Sequence, residues 1–213
     1  MENESSFKIR AMYLHPIPWN LTKLTVDTWA LADWKWYVKF LHDAGCNMFS
    51  LFIWPHQYYL PDQPETYKNE WRFKVYKEAF KYAQSLGMKT YLHNCHNAVP
   101  PFFVYDHPYL EAQDPFYCGF EACWSKGKEK ILPLHKQLYD YFHNVVDGFI
   151  LWFFDVGFCG CNECRDYASV VLDYVDTVKP ITGDRSINLC LWGFEWIEEG
   201  KVGSVSLKNG PNP

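Results

Sequence analysis

The chain has 213 residues, with 20 Lys and Arg against 25 Asp and Glu, a formal net charge of −5. A pI near 5.9 argues against a nucleic-acid binder, which usually carries a basic face, and works against docking on an acidic membrane surface. Hydrophobic residues at 48% and charged residues at 21% exclude a disordered chain and allow one domain with a sizeable core.

The chain alternates strand and helix. Ile9 to Leu14 reads as a first strand ending at His15-Pro16. A helix follows from about Thr28 to Ala44, with Ala30, Trp34, Tyr37, Val38 and Leu41 on one face, Thr28 as its cap and Gly45 as its stop. Asn47 to Trp54 is a nearly continuous apolar run, as a buried parallel strand requires. A second helix spans roughly Trp71 to Leu86 and stops at Gly87, and Met88 to His93 is the third strand. The segment from Asn94 to about Lys128 is too long for an ordinary connection, and such loops tend to be functional. A third helix carries Ile131, Leu134, Leu138 and Phe142. Gly148 to Phe154 is the fourth strand, a fourth helix carries Val171, Leu172, Val175 and Val178, and Ser186 to Trp192 is the fifth strand.

This alternation predicts an α/β fold with a parallel sheet. Neither of the first two strand–helix turns holds a Gly-rich phosphate loop, which favours a TIM-type (β/α) barrel over a nucleotide-binding doubly wound sheet. Five strands are too few to close such a barrel. The expectation is the N-terminal five βα units of an incomplete barrel over residues 1–200, with a loop-like tail at 201–213. Its open sheet edges would invite self-association. No apolar run reaches membrane-spanning length, and the polar start Met1 to Ser6 lacks a signal core, which points to a cytoplasmic protein with no membrane partner.

Eight cysteines are present, three of them in Cys159-Gly160-Cys161-Asn162-Glu163-Cys164. That spacing suits thiolates around one metal ion better than disulfides, and an all-sulfur tetrahedron suits structural zinc. Cys123 is the preferred fourth ligand, with Cys118, Cys95 and His96 as alternatives.

In barrels the chemistry gathers at the C-terminal ends of the strands. Those ends carry His15; Trp54; His93, Asn94 and His96; Asp155; and, after the fifth strand, Trp192, Glu195 and Trp196. Asp155 follows an apolar strand, where desolvation raises a carboxyl pKa and suits it to acid catalysis. Glu195 is the second visible carboxylate, as glycoside hydrolysis requires two. With Trp, Tyr and Phe at 19% of the chain, rings at strand ends suit a carbohydrate cleft.

Four stretches carry a family resemblance: Ala44-Gly45-Cys46-Asn47, Leu86-Gly87-Met88-Lys89, Ala122-Cys123-Trp124-Ser125, and Asp155-Val156-Gly157 with the Cys-rich turn. Through them the chain resembles glycoside hydrolase barrels, especially family 20 hexosaminidases and related bacterial barrels with such a turn. The resemblance implies a TIM barrel acting on carbohydrate. Family 20 enzymes place an Asp-Glu pair after the fourth strand; Asp155 matches the Asp, but Val156 stands where the general acid would be. Two other readings remain open. One is a non-catalytic carbohydrate-binding or structural fragment. The other is a zinc-thiolate methyltransferase-like enzyme using the His93-x-Cys95 pair.

Overall fold

A computed structural model describes residues 7–14, 26–113, 121–153, 159–164 and 166–191. Five strands run through them: β1 (Ala11–Leu14), β2 (Met48–Phe52), β3 (Lys89–Cys95), β4 (Gly148–Phe153) and β5 (Ser186–Leu191). All neighbours pair in parallel, in the order β1-β2-β3-β4-β5. A doubly wound sheet reverses its strand order at a switch point. This sheet advances by one neighbour at every crossover, which is barrel winding, and the five strands form an open portion of such a barrel. The tail at 201–213 lies outside the described residues.

The strand pleat sorts side chains onto two faces. One face carries Phe49, Leu51, Leu92, Phe149, Leu151 and Phe153 into the main core. The helices in chain order are α1 (Leu31–Asp43), α2 (Glu70–Ser85), the short α3 (Pro101–Asp106), α4 (Trp124–Phe142) and α5 (Tyr167–Thr182). The four long ones cover this face, with Trp34, Phe80, Leu138 and Tyr174 as fully buried anchors. The other face carries a smaller cluster of Phe52, Trp54, Cys95, Ala98 and Trp152, with Tyr13, Ile150 and Cys190 packed on it. This second cluster is the barrel interior. At the two sheet edges Met12 of β1 and Leu189 of β5 are about half exposed, at 51% and 48%.

Gly45 and Gly87 end α1 and α2 with φ of +86° and +79°, a region that glycine enters without steric cost. The start of α1 departs from expectation. Thr28 sits in a separate 3-10 turn, Val26–Thr28, and Ala30 is the N-cap. The carboxylate of Asp33 accepts the Ala30 N–H at 2.9 Å, so an acid inside the first turn does the capping. The long segment after β3 is also more ordered than expected. It contains α3 and two antiparallel bridges, Ala98 with Glu121 and Glu111 with Ala122. Helix α4 begins at Trp124 and runs through Gly127 and Pro133. Gly127 is used for close packing: a Cβ there would stand 3.1 Å from Ile131 Cδ1 and 3.4 Å from Leu110 Cδ1.

Gly148 opens β4 between Tyr91 of β3 and Ser186 of β5. A Cβ at this position would meet the Ser186 carbonyl oxygen at 2.6 Å and Tyr91 Cε1 at 2.7 Å. The Ser186 carbonyl is backbone and cannot yield without moving β5. Gly148→Ala is therefore expected to destabilise the protein by about 1–3 kcal/mol, the usual range for overpacking. Urea unfolding of the variant checks this; a stability equal to the parent's would show that the sheet spreads here without cost.

No described helix is long and apolar enough to cross a membrane.

Candidate functional site

The inner face builds its site from four adjacent strands and the residues just beyond them. Tyr13 comes from β1, Phe52 and Trp54 from β2 and its exit, and His93 and Cys95 from β3. Trp152 comes from β4. Trp54 packs on Phe52 with ring centroids 4.8 Å apart. The exit of β2 is fixed by Gln57, whose side-chain oxygen accepts the Trp54 N–H at 2.9 Å. Tyr13 stacks on His93 at 5.5 Å and tilts over Trp152 at 5.1 Å. The Trp152 indole N–H donates to His93 Nδ1 at 2.6 Å. His93 is 5% exposed, and burial alone pushes its pKa down to about 3, so it is neutral at physiological pH.

Asn94, the next residue, points the other way, into the helix layer. Its side-chain oxygen accepts the Tyr139 hydroxyl at 2.9 Å, and its amide donates to Tyr174 at 3.2 Å. The two hydroxyls lie 2.8 Å apart, and Tyr174 reaches His135 Nδ1 at 2.9 Å. All four residues are buried, so the network ties β3 to α4 and α5 and is closed to solvent. Read from sequence as a cleft residue, Asn94 is thus set apart from His93 by the pleat. His96, beyond β3, is buried too, stacked 4.8 Å from Phe153 and edge-on to Tyr174. Both of these rings belong to the main core under the helices.

Glu121 was not singled out in the sequence. It is the one carboxylate buried among the described residues, at 1% exposure. Its backbone bridges to Ala98, itself a member of the inner cluster. No pattern flags it, because it lies in the long segment between strands. Trp152 and Tyr13 were hidden for a different reason: each reads as one more apolar residue in a buried strand. His15, Asp155, Trp192, Glu195 and Trp196 lie outside the described residues, as does Cys118.

The second site is made of sulfur. Cys123 is the N-cap of α4, Cys164 closes the 3-10 turn Asn162–Cys164, and Cys159 and Cys161 precede that turn. Their four Sγ atoms lie within 4.8 Å of one another and all four residues are buried. Cys123 Sγ stands 3.6 Å from both Cys161 Sγ and Cys164 Sγ. A disulfide needs about 2.05 Å, and all four are free thiols. Four sulfurs at about 2.3 Å from one ion in a tetrahedron stand roughly 3.8 Å apart, so the group can hold a single metal ion.

The surroundings suit thiolates. The Gln113 N–H points to Cys159 Sγ at 3.3 Å, and the Ser125 hydroxyl lies 3.1 Å from Cys164 Sγ. Hydrogen bonds from the Cys123 and Cys159 thiols and from Ser125 pull Cys164 well below the usual thiol range. The pairing with Cys159 and Cys164 pushes Cys123 up, and burial with neighbouring groups pushes Cys161 up to about 12. With Cys123 and Cys161 held as thiols, further thiolates in so crowded a group need a cation to offset their repulsion. His93 and Cys95, the pair that a methyltransferase-like reading needs, are not in this group.

The chain matches no known protein-family profile and no curated protein sequence. Solved structures do resemble it. A β-N-acetylhexosaminidase aligns with TM-score 0.56 and 10% identity, over 78% of this chain and 44% of that one. A β-galactosidase from the haloarchaeon Halorubrum lacusprofundi aligns with TM-score 0.50 and 15% identity, over 95% and 29%. A GH20 catalytic module of the pneumococcal exo-β-D-N-acetylglucosaminidase aligns with TM-score 0.50 and 9% identity, over 78% and 50%. The chain therefore spans half or less of each of these. At such identities the likeness shows the fold, that of a glycoside-hydrolase-type (β/α) barrel.

Proposed function

We propose that this chain belongs to a carbohydrate-active barrel that binds a saccharide at the C-terminal ends of its strands and cleaves it by carboxylate chemistry. The observation that carries the reading is the inner cluster. Tyr13, Phe52, Trp54, His93 and Trp152 come together from adjacent parallel strands of a barrel-wound sheet, on the face where such folds keep their sites. Flat rings take the C–H face of a pyranose, and one buried imidazole fixes its orientation, in the usual pattern of an apolar site with few polar groups.

In this reading Asp155, directly after β4, is the leading acid, and Glu195, after β5, is its partner across the scissile bond. Glu121 is a third carboxylate to weigh, because it is buried beside the inner cluster. His15, Trp192 and Trp196 would complete the cleft. Zinc is the ion that best fits the four thiolates, since a closed all-cysteine tetrahedron is its structural mode. Four protein ligands leave no open position, so the ion would staple rather than catalyse. It would tie the segment after β3 to the Cys-rich turn that follows Asp155 in the chain.

Aryl glycosides of common sugars, assayed with the parent and with Asp155→Asn, Glu195→Gln and Glu121→Gln, test this. Removing the general acid is expected to lower kcat by at least ~10²-fold while binding changes little. Turnover that survives all three exchanges would sink the hydrolase reading. Saccharide binding without turnover in the parent would favour a binding module, which Val156 in the place of the family acid also favours.

A further inference from the structure

We infer that His93 is held by Trp152 as the Nε2–H tautomer, and that the inner site is thereby specific for uncharged saccharides over anionic ones. This deepens the carbohydrate reading above and rests on it. An indole N–H only donates, so the nitrogen it reaches must offer a lone pair. Trp152 Nε1 reaches His93 Nδ1 at 2.6 Å. The proton of the neutral ring is therefore on Nε2.

That Nε2 is buried and has no hydrogen-bond partner among the described residues. A buried donor left unsatisfied costs on the order of 1–3 kcal/mol, and native structures seldom carry one without a reason. Here the ring is clamped by Tyr13, with Phe52 6.5 Å away, so it is held in place by its neighbours. A fixed N–H of this kind awaits an acceptor oxygen, such as a hydroxyl or ring oxygen of a sugar.

The charge of the site sets the class of sugar. Burial drives the His93 pKa to about 3, so the ring offers a neutral donor rather than a cation. The described groups packed around the His93 ring are uncharged aromatic rings, Tyr13, Phe52 and Trp152. An anionic saccharide would lose its hydration there without gaining a counter-charge, at a cost that buried charges meet only when paired.

The test uses two readouts on the whole chain. Long-range 1H–15N correlation of the histidine rings reports the tautomer directly. Titration calorimetry then compares neutral oligosaccharides of glucose, galactose and N-acetylglucosamine with uronate-containing, sulfated and sialylated ones. The parent is expected to show the Nε2–H form and to prefer the neutral set. Trp152→Phe keeps the ring but removes the indole N–H; it should mix the tautomers and weaken neutral-sugar binding by about 3- to 10-fold, the value of one neutral hydrogen bond. His93→Gln keeps a donor and should stay within about threefold, whereas His93→Phe should lose about 10-fold. Thermal unfolding confirms that each variant is folded. Tighter binding of anionic saccharides, an Nδ1–H tautomer, or full affinity in His93→Phe would each overturn the inference while leaving the carbohydrate reading in place. If no saccharide of either set binds, both fall together.

Discussion

Protein purified without added metal or a metal-binding tag is expected to contain about one ion per chain, and Cys123→Ser to lose it. The four thiols come from two separate segments, Cys123 at the head of α4 and Cys159, Cys161 and Cys164 beyond β4. Without the ion, ionised thiols would repel at less than 4.8 Å and the buried group would lose what holds it closed. Metal binding free energy at such a site is folding free energy. The loss is expected to be at least about 4 kcal/mol, beyond what most single exchanges cost. For a chain of this size that lowers the unfolding midpoint on the order of 10 °C. Hydrogen exchange should rise at residues 98–113 and around α4's first turn, because the Gly160 N–H bonds the Gln113 carbonyl at 2.7 Å across the junction. Colour distinguishes the metal, since a ferric tetrathiolate absorbs in the visible and zinc does not. Absence of metal, or a Cys123–Cys161 disulfide in purified protein, would sink the assignment.

Strands β2 and β4 were legible because they are buried on both faces and so read as apolar runs, whereas the edge strands β1 and β5 are exposed to half-buried. Gly45 and Gly87 marked the helix ends because their positive φ demands glycine. The start of α4 was not legible. Gly127 and Pro133 weaken helix propensity, and what overrides them is tertiary packing, as of Gly127 on Leu110. The run His93-Asn94-Cys95-His96-Asn97 announced a special place but not its geometry. With no apolar contrast along it, the sequence did not reveal which residues face the barrel interior. The strand continues to Cys95, two residues past the expected end, so His93 turns inward and Asn94 outward. The partners of Asn94 lie 45 and 80 residues away on two different helices, beyond any local pattern. For the sulfur group the spacing named three thiols, and only the fold could choose among the four candidates for the next. It brings Cys123 to them, while Cys95 faces the inner cluster.

Acid should destabilise this protein well above the usual carboxylate range. His93 and His96 are buried neutral with pKa values lowered to about 3, and His135 to about 4, burial being the largest cause in each. In the unfolded chain these rings return to about 6.5. Between those limits the unfolded state binds more protons than the folded one, so stability is complete above about pH 6.5 and falls as pH drops toward about 4. Carboxylates with lowered pKa, such as the partly buried Asp147 and Asp173, act in the same direction but below their ordinary value of 3.8. Each buried histidine contributes a slope of up to about 1.4 kcal/mol per pH unit. Thiolate protonation on release of a metal ion would steepen the same window, so the histidine share is read by difference. His93 serves best, because burial is the sole cause of its shift and it stands outside the cysteine group. His93→Gln removes one titrating ring. The pH dependence of its urea-unfolding free energy between about pH 6.5 and 4.5 is expected to be shallower than the parent's by about one proton. An unchanged slope would mean that His93 takes up its proton in the folded state and is less buried than the inner cluster makes it.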